Sequence, residues 1–199
     1  MTMVKSLKAL ALLGLLVPGV ALAQFSDSYN FLKAVKDRDG NKTTEIISKP
    51  GNVIIDTRDI TTGETALHIV TRERDVTWMR FLLSRGAKTD MRDARGNTPL
   101  MIAAQIGFLE GAQALLAKRA SVDLTNSSGE TPLIRAVQNR DAAMVQLLMA
   151  NGANPNKVDS GAGLSARDYA IRDRRSAAIL KLLEATKPAT AAPKAAGPN

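Results

Sequence analysis

The sequence predicts an all-α solenoid of about five helix-turn-helix units joined by finger turns, and three observations predict it. A short motif recurs at a period of 33 residues, as Gly63-x-Thr65-x-Leu67, Gly96-x-Thr98-Pro99-Leu100 and Gly129-x-Thr131-Pro132-Leu133, with a weaker copy at Gly163-x-Ser165-Ala166. Each copy is followed at a matching offset by a second apolar segment, Met79-x-Phe81-Leu82-Leu83, Ala112-x-Ala114-Leu115-Leu116, Val145-x-Leu147-Leu148-Met149 and Ile179-x-Lys181-Leu182-Leu183. The first three of these segments end alike, at Gly86-Ala87, Arg119-Ala120 and Gly152-Ala153. A unit of this size cannot bury its own apolar face, so neighbours must stack to make one continuous core.

The elements follow in order. Residues 1–23 read as a cleavable signal peptide: Lys5 and Lys8 precede an apolar run from Ala9 to Val17, Pro18-Gly19 breaks it, and Ala21-Leu22-Ala23 presents small residues before Gln24. The uncharged run from Ala9 to Ala23 falls short of the roughly 20 residues that span a bilayer. No Cys follows it, which excludes a lipid-modified amino terminus, and no Arg pair precedes it. The mature chain is therefore expected to be soluble and exported, in a bacterial periplasm or otherwise secreted, and the complete absence of Cys suits an oxidising compartment.

The repeat domain is expected over 24–187, with units at about 27–59, 60–92, 93–125, 126–158 and 159–187. In the first, Phe31, Leu32, Ala34 and Val35 align with Leu67 to Thr71, and Ile46-Ile47 with Leu82-Leu83, but the Thr-Pro-Leu signature is missing. In the central units Thr98 and Thr131 suit a helix N-cap and Pro99 and Pro132 its first turn, where a missing N–H costs nothing. Gly86 and Gly152 stand where a helix end favours a left-handed residue, so Arg119 in the same slot should be strained. The fifth unit is expected to continue its first helix through Ala170-Ile171-Arg172-Asp173-Arg174-Arg175 as a charged terminal cap. Residues 188–199, rich in Ala and Pro, read as a disordered tail.

These motifs resemble the ankyrin-repeat family, whose pattern Gly-x-Thr-Pro-Leu-His-x-Ala no single copy carries in full. Thr65-Ala66-Leu67-His68 keeps the His and loses the Pro, while Thr98-Pro99-Leu100-Met101 and Thr131-Pro132-Leu133-Ile134 do the reverse. The resemblance covers roughly Asp27 to Lys187 and implies a protein-binding scaffold without catalysis. Similar exported bacterial proteins are associated with stress or peroxide defence, which gives an expectation by analogy alone.

Composition narrows the chemistry. No Cys and one His, His68, leave no disulfide framework, no Cys-built metal site and no pair of imidazoles for acid–base work, so no catalytic, cofactor or metal site is expected. The family slot of His68 implies a structural hydrogen-bonding role in the turn. Asp159-Ser160-Gly161 has a superficial likeness to the surroundings of a serine nucleophile, but it falls in a finger, three repeats from His68. Trp78, Met79, Phe81, Leu82 and Leu83 read as core rather than as a ligand pocket, and Arg172, Arg174 and Arg175 as a solvated cap surface. One Trp, two Tyr and four Phe are few for stacking nucleic-acid bases, and no groove-reading motif is present.

The chain carries a net charge of +8. In the family, partners touch the finger tips and the exposed side of the first helix. Carried over, the second unit offers Thr61, Thr62, Glu64, Arg72, Glu73, Arg85 and Arg92. The third offers Ala94, Arg95, Asn97, Gln105, Ile106, Lys118 and Thr125, whereas the fourth has Ser127, Ser128, Glu130, Gln138, Asn139 and Asn151 and is nearly neutral. The basic set Arg72, Arg85, Arg92, Arg95 and Lys118, with Ile106 as a central apolar anchor, would draw a monomer of this protein towards an acidic protein partner. Two rivals remain for the same charge: an anionic membrane or envelope surface, and simple solubility.

Overall fold

The computed structural model describes residues 19–49 and 54–185, with side chains from 27 onward. The charged and apolar part of the expected leader and the Ala/Pro tail lie outside the described residues. The expected cleavage junction at Ala23-Gln24 falls inside a helix that starts at Gly19.

Among the described residues ten α-helices form in pairs, one pair to a unit. The first helices are α1 (Gly19–Lys36), α3 (Ala66–Arg72), α5 (Pro99–Ile106), α7 (Pro132–Gln138) and α9 (Ala166–Arg172). The second helices are α2 (Gly40–Ile47), α4 (Val76–Ser84), α6 (Leu109–Ala117), α8 (Ala142–Ala150) and α10 (Ala177–Ala185). The first helices pack in one row, α1 on α3 and so on to α9, and α4, α6, α8 and α10 pack in a second. Leu67, Leu100 and Leu133 from one row meet Met79, Leu115 and Met144 from the other in a single core.

Most of the helices begin where their sequence can cap them. The Thr98 and Thr131 hydroxyls accept from the N–H groups of Met101 and Ile134, at 3.3 and 3.2 Å, directly ahead of Pro99 and Pro132. Ser165 completes a capping box with Asp168 in the fifth unit. Second helices are capped by aspartates, with Asp39, Asp75 and Asp141 accepting from Lys42, Trp78 and Met144. Such caps typically contribute about 1 kcal/mol each. In α6 the slot belongs to Phe108, which gives up the cap to bury its ring in the core.

The first helix of the first unit is longer than its counterparts, 18 residues against 7 or 8. One expectation for the terminal units needs correction. At the other end α9 stops at Arg172 instead of running on through Arg175. Asp173 adopts an extended conformation, accepts from the Arg175 N–H and opens a separate 3-10 turn, Arg174–Ser176.

Arg119 sits at φ 63, in the left-handed region that Gly86 and Gly152 occupy at φ 89 and 85. The strain expected from its sequence slot is present. Replacing it by glycine should raise the melting temperature, by the equivalent of about 1 kcal/mol less the added freedom of the unfolded chain. Thermal unfolding of Arg119→Gly beside the parent chain checks this, and a fall in the midpoint contradicts it.

Candidate partner-binding surface

The fingers that join the units are built on one side chain each. Asp59 accepts from the N–H groups of Thr61 and Thr62, Asp93 from Arg95 and Asn97, Asn126 from Ser128 and Glu130, and Asp159 from Ala162 and Gly163. Each of these oxygens curls the following residues into a tight hairpin, as Asp and Asn do in turns. The Tyr169 hydroxyl donates to Asp159 at 2.6 Å, and with the two finger N–H groups it holds that carboxyl below the usual range. Asp159 is thereby occupied in structure, and Ser160 beside it belongs to the exposed tip.

Successive fingers then stitch together along the tips. The N–H of Ala94 donates to the Thr62 carbonyl, that of Ser127 to Arg95 and that of Ser160 to Ser128, each at 2.9 to 3.0 Å. So close an approach leaves no room for a side chain at the finger glycines. A Cβ at Gly63, Gly96 or Gly129 would stand 2.6, 2.7 or 2.5 Å from the backbone nitrogen of the next finger. Gly163, in the last finger, has the same left-handed φ but meets nothing within 4 Å. Asp56, Asp90 and Asp123 add a second line of stitching, accepting from the N–H groups of Lys88, Ser121 and Asn154 in the next unit. Thr61, Thr62, Ala94, Arg95, Ser127 and Ser128 thus form an exposed row on a rigid, backbone-bonded support.

His68 belongs to this stitching. It is fully buried in the first turn of α3, where the Thr65 N–H donates to Nδ1 at 3.2 Å. Nδ1 therefore carries no proton, and Nε2 donates to the Asn97 carbonyl of the next finger at 3.0 Å. Burial holds the imidazole below its ordinary pKa and outweighs the opposing effects of the Asn97 carbonyl and of Asp93 and Glu64. The structural role implied for this slot is what the geometry delivers.

The basic residues expected to form one palm divide among different tasks. Arg95 is exposed at a finger tip, and Arg72 lies on the first-helix face, paired with Glu64 at 2.6 Å. Arg92 is half-buried and donates to the Thr125 carbonyl of the next finger, as Arg58 does to the Arg92 carbonyl. Arg85 and Lys118 cap the C-termini of α4 and α6 and so belong to the second-helix face, Arg85 stacking on Phe81. Asn97, assigned to the palm by its register, is buried: it donates to Asp93 and accepts from Asn126. Ile106 is not a solvent-facing knob either. It closes the last turn of α5, half-buried against the core, while its carbonyl and that of Gly107 accept from Arg74. In the fourth unit Glu130 pairs with Arg135, and Asn139 donates back to the Gln105 carbonyl.

A second feature escaped the sequence reading although its signal was present. Arg-Asp recurs at 38–39, 74–75 and 140–141, and Arg38, Arg74 and Arg140 all take positive φ between their two helices. Each reaches the next unit. Arg38 pairs with Glu73 and Asp75 and lies over Trp78, Arg74 lies over Phe108, and Arg140 pairs with Asp173 at 2.5 Å. The Arg140 guanidinium, with the Arg175 N–H, holds the Asp173 carboxyl down to about 2. Among the described residues no group of His, Cys, Asp and Glu could hold a metal ion, and no helix is long and apolar enough to cross a membrane.

A family model described as ankyrin repeats matches the chain in three overlapping copies, over residues 31–126, 76–159 and 107–191. A stretch of 79 residues, 38% of this chain, is 34% identical to oxysterol-binding protein homolog 1 of Saccharomyces cerevisiae. That stretch spans only 7% of the yeast protein's length.

Two predictions follow from the finger geometry. Gly96→Ala and Gly129→Ala should each destabilise by about 2 kcal/mol or more, from left-handed strain plus displacement of the next finger, and Gly163→Ala by only about 1 kcal/mol, from strain alone. Urea unfolding of the three variants measures the gap, and equal losses would show that close approach contributes nothing. For His68, the unfolded chain takes up a proton near pH 6.5 while the folded chain resists it, so stability falls as the pH drops through that value. Unfolding free energy should decrease as the pH is lowered from about 7.5 through 6.5, and His68→Met, which copies the Met101 slot, should remove most of that slope.

Proposed function

We propose, from the premise that this chain belongs to the ankyrin-repeat family, that it works outside the cytoplasm as a non-catalytic module binding a partner protein on its finger and first-helix face. Family membership establishes a protein-interaction scaffold as the general class of function. The observation that carries the assignment to this face is the row of exposed tips, Thr61-Thr62, Ala94-Arg95 and Ser127-Ser128, held rigid by hydrogen bonds between fingers. A surface already ordered in the free protein loses little conformational entropy on binding. Its cations are largely engaged within the fold, Arg72 with Glu64, Arg135 with Glu130 and Arg92 with a carbonyl. Recognition here then rests on shape and on the hydroxyls and amides of the tips, with Arg95 as the charged contact. Export rests on the leader-like residues 1–23, and a role in stress or peroxide defence on family analogy.

A photo-crosslinking residue placed at Arg95 or Ser128 in cells tests this. It should capture one protein that is not captured from Ala143, exposed on α8 of the other face. Arg72→Glu with Arg95→Glu should reduce the yield at Ser128 several-fold. The same proteins captured from all three positions would overturn the proposal, and cytoplasmic recovery of an uncleaved chain would overturn the assignment of compartment.

A further inference from the structure

We propose that the groove between α4 and α6, on the second-helix face, is a separate docking site for an acidic, amphipathic segment of a partner protein. The groove encloses about 360 Å³, with Leu83, Ala114 and Ala117 along it and Arg80 and Lys118 at its rims. It lies on the opposite row of helices from the fingers and does not depend on the binding face proposed above.

Charge points to this groove. Around the inter-helix loops and fingers, Arg38, Arg72, Arg135 and Arg140 pair with carboxylates, and Arg58, Arg74 and Arg92 donate to carbonyls. Arg80, Lys118 and the adjacent Arg119 have no carboxylate within ion-pair distance among the described residues. Arg119 sharpens the point. Its two counterparts, Gly86 and Gly152, hold the same left-handed backbone without strain, whereas Arg119 holds it at φ 63 and ends in an exposed side chain. Arg38, Arg74 and Arg140 hold the same left-handed backbone and engage the next unit, whereas the Arg119 side chain meets no carboxylate and adds a third cation beside Lys118.

The segments outside the described residues bring no acid to the groove. Residues 1–18 carry Lys5 and Lys8, residues 186–199 carry Lys187 and Lys194, and neither these segments nor 50–53 contains an acidic residue. A second copy is disfavoured by the charge of +8 on each chain. A planar anionic surface would meet the rims and leave the apolar floor uncovered. A helix with one apolar stripe flanked by Glu or Asp covers the floor and pairs both rims, as amphipathic helices do in other apolar grooves.

The test uses the full chain and a fluorescein-labelled, 18-residue helical peptide with Leu at i, i+4 and i+7 spacing flanked by Glu, followed by anisotropy at about 0.05 M salt. Saturable binding is expected, weakened about tenfold or more by Arg80→Glu with Lys118→Glu, less by the milder Arg80→Gln with Lys118→Gln, and about threefold by Arg119→Gly. Arg72→Glu with Arg95→Glu on the finger face should change it less than twofold. A peptide with Lys in place of Glu should not bind. Absence of saturable binding, or equal weakening by the finger-face variant, overturns the proposal. So does binding to vesicles of phosphatidylglycerol and phosphatidylcholine that Arg80→Glu with Lys118→Glu abolishes while the peptide stays unbound, since that outcome assigns the groove to a membrane. Melting temperatures no lower than that of the parent chain show that the variants fold, and the fingertip crosslinking yield reports separately on the other face.

Discussion

Each finger hangs on an oxygen of the residue that starts it. Asp59, Asp93, Asn126 and Asp159 each draw two backbone N–H groups into a hairpin, and only a hairpin so curled can lay its next carbonyl against the following finger. The rest of the array depends on this. With the fingers in register, Asp56, Asp90 and Asp123 meet the N–H groups of the next unit, and first and second helices fall into two rows over one apolar core. A backbone group left unpaired in such a seam would cost about as much as a lost hydrogen bond, so the seams tolerate little variation in spacing.

The same dependence explains how the cations are shared out. Stacking units at a fixed pitch places every inter-helix loop beside the next, and arginines at 38, 74 and 140 are long enough to cross that gap. Fingers make a similar demand, which Arg58 and Arg92 meet. Arg95 at the tips, Arg80, Arg85, Lys118, Arg119 and Lys181 over the second helices, and Arg172 and Arg174 in the last unit are exposed with no carboxylate within ion-pair distance. The larger unpaired share among the described residues therefore lies away from the fingers.

The ends differ from the middle for a physical reason. Gly163 has no following finger against it, and Asn156, in the register of Asp56, Asp90 and Asp123, turns back on Asn154 within its own unit. At the start, Ile60 is 92% exposed at a tip with no preceding finger among the described residues. A terminal unit lacks one of the two neighbours whose contacts define a central unit, so the residues that serve that neighbour drift from the pattern.

Period, caps and left-handed stops were legible in the residues themselves, because each is a local demand: Thr-Pro at a helix start, Gly or a strained Arg119 at its end, a polar oxygen at a turn. The 33-residue spacing made the stacked fold follow, since no unit could bury its apolar face alone. Which side chain would be left free was not legible. Arg72, Arg92, Arg95 and Lys118 look equivalent in the sequence, yet one pairs with Glu64, one crosses to Thr125, one stands at a tip and one rims a groove on the opposite face. Register places Asn97 and Ile106 at the surface, yet Asn97 is buried between His68 and Asn126 of the neighbouring units, and Ile106 is half-buried against the core. Those fates were decided by the tertiary structure, because a long side chain takes its partner from the adjoining unit, and the identity of that partner is set by the pitch of the stack rather than by the residues beside it.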